Sequence, residues 1–290
     1  MINSYQQFLK CHSLGNDFIL FDWSNLAYQK TEDVIKHPDW PRKIKEICRR
    51  NYSIGADGVL IIRKINEGPL EILLFNQDGS RAEKCLNGLR CVTYYLAEQK
   101  KHKGTMLLSM GQEIHPCKVD TDGSEIIIKN SHYKKPLEIT LRDKKFLGHV
   151  VEIGNPHFVI FDTVELEWLR ENGNFFEQHS AFPNRTNVEF VIRHEIDETT
   201  PTTFEVLIYE RGCGITLASG SGAAAVAKVL SQLGLIEIGQ EFIIKMPGGS
   251  IKTTISINQE IIQKAKATIV FSGNLNQTVI PAHAGIQTLA

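Results

Sequence analysis

Two five-residue runs, EILLF at 71–75 and EVLIY at 205–209, set apolar and β-branched side chains between turn residues and predict β-strands. A glycine-bearing turn follows each. Beyond the turns apolar residues recur at helical spacing, Leu89, Val92 and Leu96 in one stretch and Ala223, Val226 and Leu230 in the other. That period predicts helices over 86–99 and 220–233, each with a buried face. The two stretches align without a gap from EILLFNQDGSRAEKCLNGLRCVTYYL (71–96) to EVLIYERGCGITLASGSGAAAVAKVL (205–230). Glu71 meets Glu205, Phe75 meets Tyr209, Asn76 meets Glu210, Cys85 meets Ser219, Gly88 meets Gly222 and Leu96 meets Leu230. Upstream, LGNDFILFD (14–22) echoes IGNPHFVIFD (153–162), and GVLIIR (58–63) echoes VEFVIR (188–193), each pair read as matching strands. Three echoes in one order point to an internal duplication, with two α+β halves that each place a glycine-rich turn before a buried helix.

A polar, basic stretch near Ser131 to Pro136 reads as the break between the halves. The expected division is residues 1–131 for the first half and 132–265 for the second, with a last strand at about 266–278 returning to the first. Residues 274–290 carry no Asp, Glu, Lys or Arg, and 279–290 read as a disordered tail without a role.

Composition narrows the class. The 290 residues are 42% hydrophobic and 22% charged with a formal net charge of -1, an ordinary globular balance that points away from nucleic acid and anionic membranes. No apolar run approaches the ~18 residues of a spanning helix, and the start MINSYQQFLK lacks the pattern of a leader, so the chain reads as cytoplasmic. The six cysteines, at 11, 48, 85, 91, 117 and 213, form no C-x-x-C pair and read as reduced thiols. The ten histidines show no paired ligand spacing, so no metal is expected.

The turn-to-helix junctions carry the chemistry. A helix N-terminus exposes unpaired N–H groups and about half a positive charge, so it attracts anions and favours the thiolate of a cysteine placed there. Cys85 stands at such an entrance, and its counterpart is Ser219. If the halves face each other, the two helix ends form a carboxylate receptor flanked by residues 85 and 219. That is the layout for moving a proton between the faces of an α-carbon.

The segments HSLGNDFILFD, GADGVLII, FNQDGSRAEKCLNGLRC, GNPHFVIF, FPNRTNVEFV and YERGCGITLASGSGA run in this order over about residues 8–275, and together they resemble the diaminopimelate epimerase family. The resemblance implies an α/β fold of the α+β kind, with two pseudo-symmetric domains that each wrap a sheet around a central helix. It implies a small-molecule amino-acid substrate, no cofactor such as pyridoxal phosphate, no metal, and a homodimer. The family interconverts LL- and meso-diaminopimelate through two opposed cysteines, one thiolate as base and one thiol as acid. Carried onto this chain, the catalytic positions are Cys85 and Ser219, with His157 and Glu210 as their polar partners. Asn16, Asn76, Asn155, Asn187 and Arg211 match residues that hold the distal amino and carboxylate groups. Leu86, Asn87, Gly220 and Ser221 match the helix-end positions that hold the reacting carboxylate.

The departures bear on activity. Leu86 stands where the family has glycine, Ile215 stands where it has glutamate, and Ser219 replaces the second thiol. A serine hydroxyl needs a neighbouring base before it can accept a proton, so reduced activity is expected. Cys213, six residues upstream, is not expected to substitute. Two other readings stay open: a one-base racemase, isomerase or dehydratase acting on another amino acid, and a catalytically weak amino-acid binder.

Overall fold

The structure, a computed structural model, describes residues 6–65, 67–193 and 201–275. It divides into two compact units, one running to Ser124 and resuming at Lys266, the other from Glu125 to Ala265. The first contains β1 (Gln7–Ser13), β2 (Asn16–Asp22), α1 (Tyr28–Ile35), α2 (Trp40–Cys48), β3 (Gly58–Lys64), β4 (Leu70–Asn76), β5 (Arg81–Ala82), α3 (Leu86–Glu98), β6 (Met106–Met110) and β7 (Glu113–Asp120). The chain leaves this unit within β8 (Gly123–Ile128). The second contains β9 (His132–Leu141), β10 (Lys144–Glu152), β11 (Pro156–Ile160), α4 (Leu166–Glu177), β12 (Asn187–Arg193), β13 (Thr203–Glu210), β14 (Gly214–Ile215), α5 (Gly220–Gln232), β15 (Glu241–Met246), β16 (Gly249–Ile255) and β17 (Ile261–Ala265). The last strand, β18 (Ala267–Asn274), lies antiparallel on β1. The tail read from the sequence at 279–290 lies outside the described residues.

The duplication is visible in the pairing. Along β1, β2, β3, β4, β6 and β7 the successive pairs are antiparallel, parallel, antiparallel, parallel and antiparallel. The same succession runs along β10, β11, β12, β13, β15 and β16. Parallel neighbours need a crossover connection. One crossover in each unit is made by α1 and α2 or by α4, and the other by α3 or α5. The helices expected at 86–99 and 220–233 are α3 and α5, thirteen residues each.

Strand alternation gives every sheet two apolar faces. In the first unit Ile19, Phe21, Val59, Ile61, Leu73 and Phe75 pack with Trp23 and Trp40 around α1 and α2. The intervening residues Phe18, Leu20, Leu60, Ile62, Ile72 and Leu74 are equally buried and point the other way, toward the side of α3. In the second unit Phe158, Ile160, Val188 and Phe190 pack with Leu169 and Phe176 of α4, and Leu207, Tyr209 and Ile215 close that cluster. This leaves His157, Glu189 and Glu210 on the face that carries α5.

Two expectations are corrected. The stretch read as a break contains β9, nine of whose ten residues pair with β10 across a register shift between Val150 and Val151 that skips Lys134. Pro136 is tolerated opposite His149, and Lys134 bonds Glu152 across the pair at 2.5 Å. The match of GVLIIR with VEFVIR also slips by one residue. Glu71 stands opposite Arg63, whereas its counterpart Glu205 stands opposite Ile192. A one-residue slip exchanges the faces of a strand, so the true counterpart of Leu60 is Glu189.

Gly173 shows how closely α4 seats on its sheet. A Cβ at this position would come within 2.2 Å of the Tyr209 ring, close to the ring's attachment to the backbone, where it cannot swing aside. Glycine to alanine inside a helix ordinarily stabilises by about 1 kcal/mol, whereas forcing extra volume into a packed core costs about 1–3 kcal/mol. The packing cost is the larger, so Gly173→Ala is expected to lower stability by roughly 1–2 kcal/mol. Urea unfolding followed by circular dichroism measures this, and a stabilised variant would refute the close seating.

Candidate active site

In the first unit Cys85 is the N-cap of α3, with extended backbone (φ -155°, ψ 107°). Its Sγ accepts the Gly88 N–H at 3.4 Å, which is what an N-cap hydroxyl does with a freed donor of the first turn. Its own N–H donates to Met110 Sδ at 3.1 Å. The thiol can donate to Asn16 Oδ1 at 3.7 Å, and the same oxygen accepts Asn87 Nδ2 at 3.3 Å. Both amides have a defined orientation. Asn87 Oδ1 accepts from Arg90 Nη1 at 2.7 Å, and Asn16 Nδ2 donates to Asp57 Oδ2 at 2.9 Å. A guanidinium only donates and a carboxylate only accepts, so neither amide can turn over without losing its bond. Arg90 is fully buried, and burial draws its guanidinium down to about 10. Neighbouring Asp17 is held at about 2, because hydrogen bonds from Arg50 and Lys10 outweigh the burial that would raise it.

Two sequence-selected residues stand apart from this group. Asn76 is exposed and bonds within its own turn, Nδ2 to Ser80 Oγ at 3.0 Å. Leu86 opens α3 with its side chain 1% exposed, so it fills the core and leaves the helix end to its backbone.

In the second unit Ser219 is the N-cap of α5, and its Oγ accepts the Gly222 N–H at 3.1 Å. Ser221 Oγ lies 3.5 Å away, and Gly220 is held through its carbonyl by Gln263 Nε2 at 3.2 Å. The Ser219 hydroxyl lies close enough to Glu210 to pull its carboxyl down, and Glu210 Oε1 accepts Thr216 Oγ1 at 3.1 Å. Burial pushes the Glu210 carboxyl above the usual carboxylate range, against the pull of those two hydroxyls, and the nearby Glu189 pushes it further. His157 and Glu189 are both fully buried, with Nδ1 and Oε1 2.7 Å apart, and His157 Nε2 lies 3.0 Å from Asn155 Oδ1. Thus Ser219, Glu210, His157 and Asn155 form one neighbourhood.

Asn187 and Arg211 form a second group. Asn187 Oδ1 accepts the Arg211 N–H at 3.0 Å, and its Nδ2 donates to Pro156 O at 2.9 Å. Arg211 is exposed, with Nη1 3.3 Å from Asn184 O. The turn that carries it is tied down by Glu177, the buried last residue of α4, whose Oε1 accepts the Gly212 N–H at 3.0 Å and Arg185 Nη1 at 3.2 Å. Ile215 packs into the apolar cluster beneath α4.

Reading the sequence missed Glu177 and Glu189. Glu189 did carry a signal, being one charged residue inside the apolar strand NVEFVIR, where a buried acid needs a partner. Glu177 carried none, since it ends an amphipathic helix as surface acids do. Among the described residues no cluster of His, Cys, Asp or Glu can hold a metal ion, and no helix is long and apolar enough to cross a membrane.

In each unit, then, a side chain that can exchange a proton caps a helix whose next N–H groups can receive a carboxylate. The family model of the diaminopimelate epimerases matches residues 8–135 and 149–270. A diaminopimelate epimerase from Carboxydothermus hydrogenoformans is 33% identical over 285 residues, covering 92% of this chain and 98% of that protein. Diaminopimelate epimerase 2 from a Nostoc species is 34% identical over 298 residues, covering 94% and 96%. Among solved structures, a hydroxyproline epimerase from Agrobacterium vitis with bound trans-4-hydroxy-L-proline aligns with a TM-score of 0.68 and 12% identity over 94% of each chain. A Bacillus anthracis phenazine biosynthesis protein of the PhzF family gives 0.68 and 12% over 93% of this chain and 98% of that one. At such identity these structures share the fold alone, whereas the family match spans both duplicated units. The chain belongs to the diaminopimelate epimerase family of isomerases.

Proposed function

We propose that this chain is a cytoplasmic, cofactor-independent epimerase that interconverts LL- and meso-diaminopimelate with Cys85 and Ser219 as its proton-transfer groups. One observation carries the reading. Cys85 and Ser219 occupy the same N-cap place in the duplicated units, each heading a thirteen-residue helix and each accepting the N–H of the third residue on. Asn16, Asn155, Asn187 and Arg211 supply polar groups for the distal end of the substrate, where the guanidinium fork suits a carboxylate. In one direction the Cys85 thiolate takes the α-proton and leaves a carbanion. Ser219 Oγ–H gives its proton to the opposite face, and the carboxylic acid of Glu210 returns a proton to the serine oxygen. In the other direction the α-proton passes to Ser219 while its own proton moves to the Glu210 carboxylate, and the Cys85 thiol protonates the carbanion. Glu210 is the neighbouring base that a hydroxyl requires, and the raised proton affinity of its carboxyl suits it to both roles.

Restoring a thiol is the direct test. Ser219→Cys is expected to raise turnover on diaminopimelate by about 10² to 10⁴-fold, the usual worth of one positioned acid-base group, with KM changed less than about threefold. The binding groups are not touched by the change. A parent that already turns over at ~1 to 10³ per second and gains nothing from the replacement would overturn the role given to residue 219.

Alkylation tests the other group. Cys11, Cys48, Cys91 and Cys117 are buried, and burial pushes the Cys48 thiol up to about 12 and the Cys91 thiol well above its usual value, so these four are expected to resist iodoacetamide at neutral pH. Cys85 is expected to react ahead of the more exposed Cys213, because a helix N-terminus favours its thiolate, and diaminopimelate is expected to protect it. Peptide mass spectrometry gives the order. A Cys85 that stays unmodified, or that reacts equally fast with substrate present, would contradict its placement.

A further inference from the structure

The duplicated units differ beneath their helix ends. Phe18 lies beside Gly58 and Val59 faces Phe75 in the first unit, as His157 lies beside Asn187 and Val188 faces Tyr209 in the second. This register sets Phe18, Leu60 and Asn76 against His157, Glu189 and Glu210. The glycines of the two helices confirm the match. A Cβ on Gly88 would meet Leu60 Cδ2 at 2.9 Å, and one on Gly222 would meet Glu189 Oε1 at 2.8 Å. Hydrocarbon therefore underlies the start of α3, and a carboxyl group underlies the start of α5.

Glu189 is an expensive choice for packing alone. Its side chain is fully buried, and its Oε2 has no hydrogen-bond partner among the described residues. A leucine, as at position 60, would fill the same kind of place without burying an acid. The groups that face it are His157 from β11, Glu210 from β13 and the first turn of α5 with Ser219. The Glu189 carboxyl raises the proton affinity of Glu210 beside it, and an acid beneath α5 opposes the positive end of that helix, while hydrocarbon beneath α3 does not.

We infer that Glu189 is a positioning residue that, acting through Glu210 and His157, makes the half carrying Ser219 the proton-holding half of the site. Cys85 is correspondingly the anion-holding half. This rests on the proton transfer proposed above and assigns its two ends.

The test places Glu189→Gln and Glu189→Leu in the parent and in the Ser219→Cys background, with diaminopimelate as substrate. Gln keeps the shape without the charge, and Leu copies the first unit, so both are expected to fold, as circular dichroism and thermal melting will show. Turnover is expected to fall by about 10²-fold with KM within about threefold, a split that a loss of packing does not produce. The pH profile of kcat/KM supplies the second readout. Replacing the Glu189 carboxyl lowers the affinity of Glu210 for its proton, so, measured in the direction in which Cys85 takes the α-proton and Glu210 must hold its own, the alkaline limb moves to lower pH by about half a unit or more. Unchanged turnover and an unmoved limb in a folded, active Glu189→Gln variant would overturn the inference alone. No turnover on diaminopimelate in either background would instead sink the function proposed above, and the assignment of the two ends with it.

Discussion

The first N–H groups of a helix have no partner within the helix, and in each unit they must be satisfied where the chain leaves a glycine-rich turn. Cys85 and Ser219 satisfy one apiece, at Gly88 and Gly222. In the mechanism proposed above, the capping atom is also the one that exchanges a proton. Structure and chemistry therefore compete for the same sulfur or oxygen. Neither cap can be replaced by an apolar residue without cost to both, since losing an N-cap acceptor costs about 1 kcal/mol.

Everything beneath those helix ends follows from strand alternation. A strand buried on both faces shows one set of side chains to the outer helices and the other to the central one. In the first unit both sets are almost wholly apolar. In the second, the set facing α5 includes His157, Glu189 and Glu210, which lie where hydrocarbon or an amide lies in the first. One duplicated frame thus presents two electrostatic environments. The serine sits over the polar one, near Glu210, and the cysteine sits over the apolar one, beside the amides of Asn16 and Asn87.

The residues proposed to recognise the substrate are held by a different device. Arg211 has few ties of its own, so its position depends on the turn beneath it. That turn is pinned by Asn187 at one N–H and by Glu177 at the next. In the first unit two amides are oriented in a similar way, with Asn16 fixed by Asp57 and Asn87 fixed by Arg90. In both units a charged side chain, donating only or accepting only, decides which way a neutral amide or a backbone N–H faces.

Much of this was written in the chain in local form. The duplication, the strands around 71–75 and 205–209, the two central helices and the pairing of Cys85 with Ser219 all depend on spacing and turn chemistry within about thirty residues, and such patterns survive in one dimension. The chain also showed the departures at Leu86, Ile215 and Ser219. It did not show that Leu86 and Ile215 turn into the core, because a side chain beside a turn can face either way until a sheet is packed against it. Nor did it show the register that matches Leu60 with Glu189. A one-residue slip in a strand is nearly silent in sequence similarity, yet it exchanges the two faces, and only the hydrogen-bonded pairing of Glu205 with Ile192 settles it. Glu177 and Glu189 act through partners 35 and 32 residues away in the chain, at Gly212 N and His157 Nδ1. Contacts of that length form only when the whole unit has folded, so the tertiary structure alone decided which acids are surface charges and which are buried beside the candidate site.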